Sequence, residues 1–159
     1  MIDTSSIFIS NKNKMYKLPS QTIFYTIEKT IKEYRRFAQR NINKTIENIT
    51  VDQALLLIFK NNYPELSQNE LGELMFKDNA SVTRMIELMA KKGYLERSIN
   101  KQDRRKYNLN ITDKGEKILT DLNTIILSNR KSALRGISNS EITQLKNTLN
   151  KIINNCNSK

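Results

Sequence analysis

At 159 residues the chain is long enough for one domain of ordinary size, burying about two-thirds of its unfolded surface without a disulfide or metal staple. It has no histidine and one cysteine, Cys156, which removes imidazole bases, Cys–His dyads, the usual zinc ligand sets and any internal disulfide. Lys and Arg number 27 against 16 Asp and Glu, a formal charge of +11 with an isoelectric point near 9.8, and this balance favours a polyanionic partner.

With only four glycines there is no Gly-rich phosphate loop, and no pair of carboxylates sits in a recognisable catalytic motif, so neither an enzyme nor a cofactor or metal is expected. The start, MIDTSSIFISNKNK, is acidic at its third residue and has too short an apolar run for a signal peptide. No later stretch approaches a membrane span. A cytoplasmic location without a membrane partner is expected, and the lone cysteine suits a reducing compartment.

Residues 1–18 are polar with scattered lysines and read as a mobile N-terminal arm. Pro19 and Ser20 then open a long helix. Ile23, Ile27, Ile31, Tyr34, Ala38 and Ile42 recur in it every three or four residues, one apolar stripe on a charged segment. A stripe of that length needs a partner all along it, so part of it is expected to meet another subunit. Ile49, Thr50, Gln53 and Ala54 form a hydrophobic staple and capping box that start the helix VDQALLLIFKNN, whose ALLLIF run reads as buried core. Pro64 forces its predecessor out of helical geometry and ends that element.

Ser67 as N-cap, with Glu70 three residues on and Leu66 and Leu71 as a staple, begins a helix running to about Phe76. Asp78 and Asn79 favour a turn, and SVTRMIELMAKK resumes helical spacing through Val82, Ile86 and Met89. Lys91, Lys92 and Gly93 supply the C-terminal stop. YLERSI and RKYNLNI read as two strands with NKQDR as the hairpin tip, the second alternating Tyr107, Leu109 and Ile111 on one face. Helix, turn, helix and basic hairpin make a winged helix-turn-helix, which places its second helix in a DNA major groove and the hairpin beside it. The charge is distributed accordingly: Arg84, Lys101, Arg104, Arg105 and Lys106 all fall on that face.

After the hairpin, Thr112 and Asp113 cap a helix with Ile118, Leu119, Leu122, Ile125 and Ile126 on one face, ending around Arg135 and Gly136. Ile137, Ser138, Glu141 and Ile142 give a third staple and box. Ile142, Leu145, Leu149, Ile152 and Ile153 continue at nearly heptad spacing. The expected fold is therefore mainly α: a winged helix-turn-helix with a two-stranded wing and long N- and C-terminal dimerisation helices. Residues 19–159 form a single domain, with 19–47 and 113–156 as the dimerisation helices around a 50–112 DNA-binding core.

Recognition helices point their N-terminal side chains at base edges, and Asn79, Ser81, Thr83 and Arg84 are the residues that fall off the Val82, Ile86 and Met89 face. An arginine forks onto guanine or holds a phosphate, and the sequence leaves both open for Arg84. Asn79, Ser81 and Thr83 serve equally well as caps or local backbone partners. In the wing, Arg104 and Arg105 reach an adjacent minor groove while Lys101 and Lys106 serve the phosphate backbone. Asp103 would be repelled by phosphates; it reads as a brace for a guanidinium or as an ordinary turn residue. The first amides after Ser67 offer a phosphate site, as any helix N-terminus does.

The run Asp103-Arg104-Arg105-Lys106-Tyr107-Asn108-Leu109-Asn110-Ile111-Thr112 resembles the wing signature of the MarR family of bacterial transcription regulators, D-x-R-x-x-x-L-x-L-T, with Ile111 for leucine as the one departure. SVTRMIELMAKKGYLER resembles that family's recognition helix and its exit into the wing. The resemblance is specific over residues 50–122 and extends outside them only as a helix layout. It implies terminal helices interdigitating in a homodimer and a minor-groove role for Arg105, with Asp103 as its orienting partner. It further implies a repressor that loses affinity when a small-molecule effector shifts the spacing of two recognition helices. Some relatives switch through a cysteine near the start of the domain, but Cys156 lies at the other end and no redox role is expected of it.

The expected partners are a second copy of the chain, a small-molecule effector and double-stranded DNA carrying a pseudo-palindromic operator with half-sites about 34 Å apart. The alternatives are an architectural or non-specific DNA-binding protein and a winged-helix module that binds protein instead of DNA.

Overall fold

The computed structural model describes residues 18–99 and 107–158. The chain divides into two units within its first long helix, one ending at Tyr34 and the other beginning at Arg35. In the first, Pro19–Gln21 make a single 3-10 turn ahead of helix α1 (Ile23–Ile42), so the helix starts at Ile23 rather than at the proline. Thr22 makes the junction: its hydroxyl donates to the Pro19 carbonyl (2.8 Å) and accepts from the Tyr25 N–H (3.3 Å). Ile23, Phe24 and Ile31 of α1 are each more than half exposed.

The second unit holds the end of α1 followed by α2 (Val51–Asn62), α3 (Gln68–Leu74), α4 (Asn79–Lys91), β1 (Leu95–Ile99), β2 (Tyr107–Ile111), α5 (Asp113–Ala133) and α6 (Asn139–Asn157). Side-chain caps set the starts of these helices. Thr50 and Gln53, Ser67 and Glu70, and Ser138 and Glu141 each exchange reciprocal bonds between side chain and backbone, closing amides that a helix start leaves without partners. The strands pair antiparallel, with Leu95 opposite Ile111 and Arg97 opposite Leu109.

Ile42, Ile49, Leu57, Leu71, Ile86 and Leu122 belong to one buried cluster, and Leu109 and Ile111 pack against it from the wing. Complete burial of one such side chain is worth about 1.5–3 kcal/mol. The ALLLIF run supplies Ala54, Leu56 and Leu57 as fully buried residues and Leu55, Ile58 and Phe59 as flanking ones, since a helix turns half its face away even inside a core. Polar groups fix the geometry. The Gln39 side chain donates to the Ile49 carbonyl and accepts from the Val51 N–H, both at 2.8 Å, which closes the α1–α2 connection. Asn41 donates to the buried Asn129 of α5 (2.6 Å).

Helix α6 has no buried residue. Its near-heptad stripe leaves Leu145 and Ile153 exposed, and Leu127 of α5 and Leu134, just past its end, are exposed as well. The apolar pattern of this segment therefore exceeds what the described part of one chain covers.

Candidate nucleic-acid interface

The site is built from α3, its turn and α4. Helix α3 ends in a Schellman arrangement: the Phe76 N–H donates to Glu73 (3.1 Å) and the Lys77 N–H to Gly72 (2.9 Å). Asp78 then caps α4, its two carboxylate oxygens accepting from the Ser81 N–H (2.8 Å) and the Ser81 hydroxyl (2.7 Å). These two bonds hold the Asp78 carboxyl below its ordinary range. Val82, Met85, Ile86 and Met89 are buried on the inner face of α4. Close approach to α3 depends on Gly72, where a Cβ would lie 3.1 Å from the Lys77 carbonyl oxygen and 3.3 Å from a Val82 methyl. Gly93, at φ 74°, ends α4 in a second Schellman motif through bonds from Gly93 to Ala90 (2.9 Å) and from Tyr94 to Met89 (3.0 Å), turning the chain into β1.

Of the four residues expected to face DNA, Asn79 and Arg84 are exposed, whereas Ser81 and Thr83 are turned to structural work. The Thr83 hydroxyl donates to the Asn79 carbonyl (2.8 Å) and accepts from Gln68 of α3 (2.6 Å), tying the two helices together. With its proton engaged, each hydroxyl offers only an acceptor, and a phosphate needs a donor. Lys101, Asp103, Arg104, Arg105 and Lys106 lie outside the described residues.

Five charged residues that the sequence did not single out belong to the same region. Asp52, on α2, takes ion pairs from Arg35 and from Lys77 (3.1 Å), so the lysine of the helix-turn-helix turn reaches back to the body. Burial pushes the Asp52 carboxyl up, but hydrogen bonds and charge from Arg35 and Lys77 outweigh it and hold the group below the usual carboxylate range. Arg97 of β1 approaches Glu87 of α4 at 4.0 Å. Such pairs join residues far apart in sequence, and no local pattern marks them.

The wing is anchored where β2 meets α5. Thr112 donates to the Gly93 carbonyl (2.6 Å) and accepts from the Gly115 N–H (3.1 Å), while Gly115 packs so closely that a Cβ would collide with the Tyr94 carbonyl and an Ile111 methyl. The base of the wing is thereby locked to the C-terminal end of α4. Among the described residues no cluster of His, Cys, Asp or Glu is placed to hold a metal ion, and no helix is long and apolar enough to cross a membrane.

Residues 49–107 match the MarR family. Over 133 residues the chain is 25% identical to the HTH-type transcriptional regulator SarZ of Staphylococcus haemolyticus (strain JCSC1435), covering 84% of this chain and 85% of that protein. Among solved structures, the S. aureus MepR–DNA complex superposes with a TM-score of 0.76 at 19% identity, covering 87% of this chain and 99% of that one. Bordetella bronchiseptica BpsR, whose DNA binding is regulated by 6-hydroxynicotinic acid, gives 0.77 at 17% identity, covering 91% and 99%. These two likenesses show the fold. Taken with the matched segment, which runs from Ile49, just before the cap of α2, to the first residue of β2, they give the chain a winged helix-turn-helix fold whose helix-turn-helix core matches the MarR family.

Proposed function

We propose that the protein is a homodimeric repressor that reads a pseudo-palindromic operator with α4 in the major groove and releases it when a small-molecule effector changes the spacing of its two recognition helices. The observation that carries this reading is the outward face at the start of α4. Asn79 and Arg84 are exposed there on a helix whose opposite face is anchored by Val82, Met85, Ile86 and Met89. Arg84 contacts a guanine edge or a phosphate, and Asn79 lies at the first helical position, nearest the groove floor. Ser81 and Thr83 support this surface from their structural bonds and add acceptors to it. In the wing, Arg104 and Arg105 enter the neighbouring minor groove, Lys101 holds the backbone, and Asp103 orients Arg105.

The dimer is supported by the uncovered apolar residues of the terminal helices, residues 19–47 and 113–156: Leu145 and Ile153 gain cover from a second copy. The effector half is supported by the likeness to BpsR. Selection from a random DNA pool, followed by competition with scrambled DNA at fixed salt, tests the reading. The selected sequence is expected to win by at least about a thousandfold. Equal competition would make the protein an architectural binder, and weak, salt-insensitive binding would make it a protein-interaction module.

A further inference from the structure

The end of α1, the α1–α2 connection, the end of α4 and the start of α5 converge on an open cleft of about 990 Å³ in the second unit. Its walls are polar. Ile49 and Tyr94 line it but are only 1% and 8% exposed, so they offer a ligand little apolar surface. Sites for apolar ligands are built the other way round, from hydrophobic walls with a few polar groups.

The charged groups of the cleft stand apart from one another. Lys92, the C-cap of α4, donates from its ammonium to the Asn48 carbonyl and to Gln53 Oε1 (3.1 Å). Lys114 donates to the Lys92 carbonyl (2.8 Å) and stands 4.8 Å from the centroid of the Tyr94 ring. These acceptors are neutral and an ammonium has three protons to give, so each lysine keeps a proton and its full charge for an anion. Glu47, on the α1–α2 connection, lines the same cleft yet pairs with neither lysine, and its carboxylate has no partner among the described residues. Asn43 lines it too; its Oδ1 accepts from Gln39 (2.8 Å), which leaves its amide N–H groups to donate.

We propose that this cleft binds a small hydroxylated organic acid, with its carboxylate on Lys92 and Lys114 and its hydroxyls on Glu47 and Asn43. A charged oxygen is a stronger acceptor than the neutral ones that hold Lys92, by roughly a factor of two. The Glu47 carboxylate only accepts, so it disfavours a bare anion and admits one that brings O–H donors. Gln53 Oε1 accepts from the Thr50 N–H (3.2 Å) as well as from Lys92, so an anion that draws Lys92 away acts on the end of α4 and the start of α2 together. That consequence for DNA rests on the effector-responsive reading above; binding in the cleft does not.

The test titrates the full-length protein calorimetrically, at fixed salt, with three six-carbon probes: gluconate, hexanoate, which has the charge without the hydroxyls, and sorbitol, which has the hydroxyls without the charge. Gluconate is expected to bind at least about tenfold more tightly than either. Glu47→Gln should narrow the gap between gluconate and hexanoate with no change in unfolding temperature, and Lys114→Gln the gap between gluconate and sorbitol. No binding of gluconate, equal binding of the three probes, or gaps unchanged in both variants would overturn the proposal. Gluconate bound as described but without effect on affinity for selected DNA would uphold the cleft and count against the effector-responsive reading. Release of DNA by gluconate in variants that bind it as wild type does would overturn the cleft and leave that reading standing.

Discussion

Arg84 and Ser81 lie on one turn of α4, yet their neighbours give them different work. Ser81 is spent on Asp78, while Arg84 projects into solvent. Arg84→Ala is expected to weaken binding to selected DNA by about 1–3 kcal/mol, the worth of one good bidentate contact, with no change in unfolding temperature. An anisotropy titration alongside a thermal melt checks both halves. The sequence offered the four α4 candidates because periodicity separates inner from outer faces. It could not rank them, because the bonds from Gln68 to Thr83 and from Ser81 to Asp78 depend on the folded turn.

Asp52 has a different signature. Its folded carboxyl titrates below its unfolded value, so the stability it contributes is fully present above the unfolded pKa and is lost as pH falls through the folded one. Asp52→Asn is expected to cost on the order of 1 kcal/mol at neutral pH, the pair being partly exposed, and to flatten the acid limb of a stability-against-pH curve. An unchanged acid limb in urea melts would remove Asp52 from that role.

Among the elements, helix starts were the most legible part of the sequence. Each capping box is written within four consecutive residues, and Thr50, Ser67 and Ser138 all cap where their spacing indicates. Ser67→Ala should therefore cost about 1 kcal/mol in chemical denaturation. Helix ends were less legible. Helix α3 stops at Leu74 because the chain reverses through a left-handed Phe76, a residue that gives no local warning of such a turn.

The junction between wing and α5 is equally hidden, since nothing in DKGEK indicates that Gly115 touches the Tyr94 carbonyl. Gly115→Ala forces that contact apart and is expected to destabilise by about 1–3 kcal/mol, as overpacking does. It should also loosen the wing, seen as faster amide exchange in β1 and β2. An unaltered exchange pattern would mean that the wing does not depend on this anchor.

At the scale of the molecule, the sequence shows the stripe on α6 but not what covers it, because periodicity identifies an apolar face and never its partner. Leu145→Glu with Ile153→Glu is expected to convert a dimer into a monomer in sedimentation and to abolish operator binding while the helix-turn-helix keeps its fold. Unchanged sedimentation would separate these side chains from assembly.

Two copies of α4 reading successive turns of one duplex require both half-sites at a fixed spacing. The most direct measurement compares the affinity of the intact protein for the selected operator with its affinity for the same operator carrying about five extra base pairs, half a helical turn, between the half-sites. The account predicts that the insertion lowers affinity by tenfold or more, to the level of an operator with one half-site scrambled. Equal affinity for the two spacings would contradict it.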